Sequence, residues 1–271
     1  MKEYKGKKPQ KSNGFKRNPR EEQEQRNTDG LIGGRNAVKE LLSSGRDIDK
    51  IFVAQGDRDG SISMLVAQAI ERKIPVVEVD RKKLDAMLSA NHQGIIAMAA
   101  ERNYCSVDDI IAYAESKGEK PLIAICDGVE DPHNLGAIIR CAECAGAHGI
   151  VIPKRRNVGL TAVVAKSSAG AIEHMLVAKV TNLAQTIEEM KEKGIWVYAA
   201  DMAGTNYYDL DFTSASAIVF GSEGSGISRL VSERCDFVVS IPMYGQVNSM
   251  NVSTAAAVVL CEAAKQRSLK K

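Results

Sequence analysis

Apolar residues in this chain gather in short runs, and between the runs the spacing changes to that of helices. The clearest run, Leu122-Ile-Ala-Ile-Cys126, is of the kind found in strands buried on both faces. A polar loop follows at 127–136, then a helical pattern at 137–145 that stops at Gly146. Beyond it the pattern predicts strands at 149–152, 176–180, 195–199, 217–220 and 237–241. Helices are predicted at 161–171, 183–193 and 228–233, with a last one of small residues from Val252. Strands alternating with helices in this way predict an α/β domain with a mostly parallel sheet covered on both faces.

A smaller set of elements comes first. The stretch 31–42 opens on the pair Gly33-Gly34 and continues with Ala37, Val38, Leu41 and Leu42 at helical spacing. Strands are predicted at 48–54, 75–79 and 94–100, and helices at 64–72 and 82–89, which makes a compact α/β layer. The charged stretch 101–120 reads as a linker with a short helix near 107–115. The resulting organisation is an arm at 1–29, a small α/β domain at 30–100, a linker at 101–120 and a larger domain at 121–267.

Composition changes this picture only at the N-terminus. The 271 residues are 44% hydrophobic and 26% charged, ordinary for a globular chain, and the net charge is +2. Positive charge is concentrated in the arm, where Lys2, Lys5, Lys7, Lys8, Lys11, Lys16, Arg17 and Arg20 face a single acid, Glu3, among the first twenty residues. So few apolar side chains cannot offset the entropy of ordering, and the arm reads as disordered and able to attract phosphates. It lacks the apolar core of a secretory signal, and no later run reaches the ~18 apolar residues of a membrane span, so the expected location is the cytoplasm. The six cysteines fall mostly in regular apolar segments, as reduced thiols do. Cys141 and Cys144 form a CxxC without a second pair inside an Ala-rich helix, so no metal is expected.

Three polar loops, at 127–140, 221–226 and 243–251, each follow an apolar strand. Ligands gather at the carboxyl ends of parallel strands, so the three make one candidate site. The middle loop, Gly221-Ser-Glu-Gly-Ser-Gly226, lacks the Gly-Lys-Ser/Thr of a phosphate-binding P-loop and does not have the dinucleotide spacing. Glu223 within it would repel a pyrophosphate and suits a ligand with a positive centre. In the third loop, Gly245 offers backbone freedom, and Asn248, Ser249 and Asn251 are short groups able to cap a helix or hold a ligand.

Asn134-Leu-Gly-Ala-Ile-Ile-Arg140, Gly221-Ser-Glu-Gly-Ser-Gly-Ile227 and Ile241-Pro-Met-Tyr-Gly245 with Ser249-Met-Asn-Val-Ser253 resemble, in order, the three motifs of the SpoU branch of SPOUT RNA 2′-O-methyltransferases. Gly33-Gly-Arg-Asn-Ala-Val38 and His92-Gln-Gly94 are similar to the N-terminal substrate-binding domain of the RlmB-like members. Met250 stands where Leu is usual, and the basic arm is outside the common core.

The resemblance implies a parallel sheet with a C-terminal trefoil knot, S-adenosylmethionine held in that knot, and a homodimer. It implies catalytic roles for Arg140, Asn134, Glu223, Ser249 and Asn251, with cofactor contacts at Gly221, Ile241, Met243, Gly245, Met250 and Asn251. Arg140, effectively always protonated, suits phosphate binding and polarisation of the hydroxyl better than a base role. RNA contacts are expected at Arg35, His92 and Gln93, the latter two on an exposed loop, and at Lys8 and Arg17 of the arm. The implied reaction is 2′-O-methylation of a guanosine in large-subunit (23S) ribosomal RNA. A transfer RNA substrate and a non-catalytic RNA-binding role are the alternatives.

Overall fold

A computed structural model describes residues 30–56, 60–89 and 91–270; the basic arm, with Lys8 and Arg17, lies outside the described residues. Two sheets form. The first contains β1 (Leu31–Gly33), β2 (Ile48–Ala54), β3 (Val76–Val79) and β4 (Ile95–Ala99) in the order β1-β4-β2-β3. The pair β2/β3 is parallel and the other pairs are antiparallel. Helices α1 (Arg35–Ser43), α2 (Gly60–Glu71) and α3 (Arg81–Met87) accompany it, with Val38, Ile51, Leu65 and Ile95 in the core. β1 was not foreseen as a strand separate from α1. Gly34 makes the corner between them at φ 102°, a conformation that favours glycine.

The second sheet contains β5 (Leu122–Asp127), β6 (Gly149–Pro153), β7 (Leu176–Val180), β8 (Trp196–Asn206), β9 (Ser216–Gly221) and β10 (Phe237–Ser240). Its six strands, ordered β10-β8-β9-β5-β6-β7, are all parallel. β5 shows why the runs looked continuous: Leu122, Ala124 and Cys126 enter one core while Ile123 and Ile125 enter the other. One face carries α5 (Pro132–Cys144), α6 (Ala162–Ser167) and α9 (Val252–Ser268); the other carries α4 (Val107–Ser116), α7 (Leu183–Glu192) and α8 (Arg229–Ser232). Strand order reverses between β5 and β9, whose last paired residues are Asp127 and Gly221. That is the switch point at which parallel sheets open a crevice.

Three departures from the predicted elements position the site. α5 begins at Pro132 because Asp131 caps it, accepting the His133 N–H at 2.8 Å, so Asn134 is a first-turn residue and not the cap. The helix expected at 161–171 stops at Ser167, where Ala169 and Gly170 turn left-handed before a 3-10 turn at Ala171–Glu173. β8 runs on to Asn206 because β10 pairs with it in two registers, Val238 with Ala199 and Val239 with Thr205. The intervening residues of β8 bulge outward, and at Gly204 a Cβ would lie 2.4 Å from the Val238 carbonyl oxygen.

α9 leaves the loop after edge strand β10 and returns to pack on α5, a path consistent with the knot that the resemblance implies. Arg267 near its end donates to the carbonyls of Lys120, Phe212, Pro121 and Ser214 at 2.6–2.9 Å. Residues 101–120, expected as a linker, are largely built into the second domain. α4 buries Ile110 and Ala114, and Ile110 occupies the space beside Gly149.

The domains meet at a buried cluster. Asp49 of β2 is 5% exposed and pairs with Lys179 of β7, while the Tyr104 hydroxyl donates to the same carboxylate and accepts the Leu160 N–H at 2.9 Å. Burial, then the Asp49 charge, pushes the Tyr104 phenol well above its ordinary value. Among the described residues no helix is long and apolar enough to cross a membrane.

A second buried network predicts a pH effect. His148 is 2% exposed; its Nδ1 accepts the Leu122 N–H at 3.0 Å, and its Nε2 faces Glu119 at 3.1 Å. Accepting from Leu122 requires an unprotonated Nδ1, and burial holds the imidazole below its ordinary pKa of 6.5. An unfolded chain therefore takes up a proton that the folded one refuses, so this contribution is present above pH 6.5 and lost as pH falls below it. The melting temperature is expected to fall between pH 7.5 and 5.5, and His148→Gln is expected to flatten that fall. An unchanged slope in the variant would exclude His148 as the cause.

Candidate active site at the switch point

The loops after β5, β9 and β10 converge on one side chain. Asn251 caps α9, its Oδ1 accepting the Ser253 N–H at 2.9 Å and the Thr254 N–H at 3.3 Å. Its Nδ2 donates to Asn134 Oδ1 at 3.0 Å and also to Glu223 Oε1. Asn134, 7% exposed, belongs to the first loop's helix and Glu223 to the second loop, so one amide ties all three. The fork requires an amide, since a carboxylate cannot donate and a hydroxyl has a single proton.

Behind this junction lies a cavity of about 470 Å³. Its apolar wall includes Phe220, Val239, Ile241, Met243 and Met250, and Asn248 and Ser249 add polar edges. Asp201 and Glu223 line it, and among the described residues no lysine or arginine does. The loop at its rim can close because Gly221 has no side chain: a Cβ there would lie 2.1 Å from the Gly226 carbonyl carbon. Such a chamber, apolar with two acids, suits a nucleoside-sized ligand bearing positive charge.

The predicted residues divide. Asn134, Glu223 and Asn251 come together, and Gly221, Ile241, Met243, Ser249 and Met250 line the cavity. Gly245 does not line it, stands in open space and has no left-handed φ, so its backbone makes no demand for glycine. Arg140 is exposed, does not line the cavity, and makes no hydrogen bond or ion pair among the described residues.

His92 needs a correction. It is buried, 4% exposed, with Nδ1 accepting the Gly94 N–H at 3.0 Å, which leaves Nε2 to donate to Asp85 at 2.9 Å. A ring spent on holding its own turn does not present itself to RNA. Gln93 is exposed, and its Oε1 accepts the Arg35 N–H at 3.0 Å, so these two remain side by side.

The profile of the SpoU rRNA methylase family matches residues 121–261, and that of the RNA 2′-O ribose methyltransferase substrate-binding family matches 31–105. The chain belongs to the SpoU family. The Bacillus subtilis protein YacO, assigned by name to the TrmH family of tRNA/rRNA methyltransferases, is 48% identical over 86% of this chain and 94% of its own. A Staphylococcus haemolyticus protein of the same family name is 46% identical over 88% of this chain and 96% of its own. Among solved structures, the SpoU methyltransferase AviRb of Streptomyces viridochromogenes with AdoMet has the same fold. The likeness has a TM-score of 0.57 at 22% identity, covering 93% of this chain and all 100% of that one. An RNA 2′-O ribose methyltransferase matches with TM-score 0.53 at 25% identity, over 93% of this chain and 97% of its own.

In this SpoU methylase the motifs did not point to Ala200, Asp201 and Met202, which the β8 bulge brings to the cavity wall. An acid after an apolar strand was the available signal. Burial pushes the thiols of Cys126 and Cys235 up to about 12 and Cys105 to about 11, leaving these three protonated near neutrality. Among the described residues no group of three or more His, Cys, Asp or Glu is arranged to hold a metal ion.

Proposed function

We propose that this protein transfers a methyl group from S-adenosylmethionine to the 2′-hydroxyl of a guanosine in large-subunit (23S) ribosomal RNA. The observation that carries the reading is the cavity lined by Asp201 and Glu223 and, among the described residues, by no cation, joined through Asn251 to Asn134. The residues present fit the cofactor: the apolar wall suits an adenosine, and the carboxylates suit a sulfonium and an ammonium. When bound, the cofactor supplies an activated methyl on a positive sulfur.

With the cofactor bound, the ribose 2′-oxygen would take the methyl carbon, the sulfur would keep the electron pair of the bond it gives up, and the hydroxyl proton would pass to solvent water. The protein's task is alignment and charge placement. Asn251 fixes the Asn134 amide and the Glu223 carboxylate in one geometry beside the cavity. Asn134 positions the ribose, Glu223 orients the nucleophile, and Ser249 lines the chamber that aligns the methyl donor.

Arg140 reaches this site from a second copy of the chain. Met202 and Met250 line the cavity, Tyr244 and Val247 lie on the same loop as Met250, and all four are between 41% and 91% exposed, apolar surface suited to a homodimer. In that assembly the guanidinium binds a target phosphate and polarises the hydroxyl. The small N-terminal domain is the RNA-docking unit, with Arg35 and Gln93 on its surface. The same chemistry on transfer RNA is the second reading, favoured by relatives named for both RNAs.

The test is tritiated methyl transfer from S-adenosylmethionine to ribosomal and transfer RNA from cells lacking the protein, followed by nucleoside analysis. 2′-O-methylguanosine in large-subunit RNA is the expected product; label on neither RNA would overturn the reading. Arg140→Ala is expected to lower turnover about 100-fold or more while cofactor affinity is retained, the scale of losing one charge-placing group. Loss of cofactor affinity would make Arg140 structural.

A further inference from the structure

The loop 221–226 has a cavity on each side. Opposite the chamber described above lies a second, of about 540 Å³, lined by Asn134, Glu130, Asp131 and Glu223, with Arg156 at its edge. Ser222, Glu223, Gly224, Ser225 and Val252 line both, so the two cavities share the loop that Asn251 holds through Glu223.

Among the described residues Arg156 is the one cation that lines this second cavity. It is exposed, and its guanidinium makes no hydrogen bond or ion pair among the described residues. Its backbone stands at φ 57°, a left-handed conformation that disfavours a non-glycine residue and persists only when neighbours impose it. They do so here: Asn157 Oδ1 accepts the Val129 N–H at 2.8 Å, and the Val158 N–H donates to the Val129 carbonyl at 3.0 Å. The loop after β6 is thus pinned to the loop after β5, and the pinning presents an unpaired guanidinium beside Asn134.

Building on the methyl-transfer reading, we propose that this second cavity is the subsite for the target nucleotide and that Arg156 binds an RNA backbone phosphate in it. Charge fixes the orientation. Glu130, Asp131 and Glu223 would repel a phosphate anywhere else in the cavity, so the anion lies at the Arg156 end. The attached ribose then lies toward Asn134 and Glu223, beside the loop that the cavities share, where the methyl donor would be reached. A guanidinium suits the task because its planar donors bind two phosphate oxygens at once.

The experiment compares Arg156→Ala, Arg156→Lys and Arg155→Ala with the unaltered full chain. Equilibrium binding and methyl-transfer kinetics are measured on bulk ribosomal RNA and transfer RNA at several salt concentrations. Arg155 is the neighbouring exposed arginine and lines neither cavity. Arg156→Ala is expected to raise KM and Kd for RNA about tenfold or more, with S-adenosylmethionine affinity unchanged, and to reduce the salt slope by about 1. Arg156→Lys should recover part of the loss, and Arg155→Ala should stay near the unaltered protein. Unchanged RNA affinity in Arg156→Ala, an equal loss in Arg155→Ala, or weakened cofactor binding would each overturn the proposal. Failure of the unaltered chain to methylate RNA would sink the parent reading, while the binding comparison would still decide the role of Arg156.

Discussion

Asn251→Ala is expected to abolish measurable methyl transfer and to lower stability by about 1–2 kcal/mol, the cost of losing a helix cap. The two effects have separate origins in one side chain, since Oδ1 caps α9 while Nδ2 joins Asn134 to Glu223. Asn251→Asp separates them. An aspartate keeps the accepting oxygen and favours a helix start, but it cannot donate and sets a carboxylate against Glu223. The aspartate variant should therefore melt near the unaltered protein and still lose about 100-fold or more in turnover, the scale of one misplaced charge-stabilising group. Thermal melting beside single-turnover methylation checks this. An active aspartate variant would reduce Asn251 to a cap.

Lys179→Met is expected to destabilise the chain by about 3–5 kcal/mol, because it strips the partner from a buried carboxylate. Asp49 and Lys179 have side chains 5% and 8% exposed, and among the described residues Asp49 Oδ2 has no hydrogen-bond partner, so the carboxylate depends heavily on Lys179. Gly159 lies against the same carboxylate, where a Cβ would be 2.3 Å from Asp49 Cγ, so the domains cannot slide to admit water without parting. The double variant Asp49→Asn with Lys179→Met removes both charges and should regain much of the loss. Denaturant unfolding of the single and double variants measures the coupling. Additive effects would mean that the charges do not interact.

The elements that were legible are those whose cause is local. Strands β5, β6 and β9 announce themselves because burial on both faces leaves almost no polar position to interrupt the run. β1 has three half-buried residues and no such signal. The far half of β8 escaped because residues 201–205 are exposed and, Met202 apart, polar or small, and their place depends on a strand more than thirty residues later. In the site, ordered motifs named Asn134, Glu223 and Asn251, but the shared amide is a fact of three dimensions. Arg140 illustrates the limit from the other side. Six positions along a helix set a side chain about 120° around the axis and about 9 Å along it from Asn134, and Arg140 stands exposed where Asn134 is buried. The Asp49–Lys179 pair joins residues 130 positions apart, which spacing could not suggest.

The double register between β8 and β10 shapes one wall of the chamber. β8 pairs with β9 through Ala200 and with β10 up to Ala199 and again from Thr205, which leaves 201–204 without a ladder partner on either side. Asp201 and Met202 of that slack segment form a wall of the chamber. A wall without ladder bonds, tied to the sheet at Ala200 and Thr205, frees its side chains from the strict alternation of faces that strand pairing imposes, and so lets neighbouring positions 201 and 202 both line the chamber.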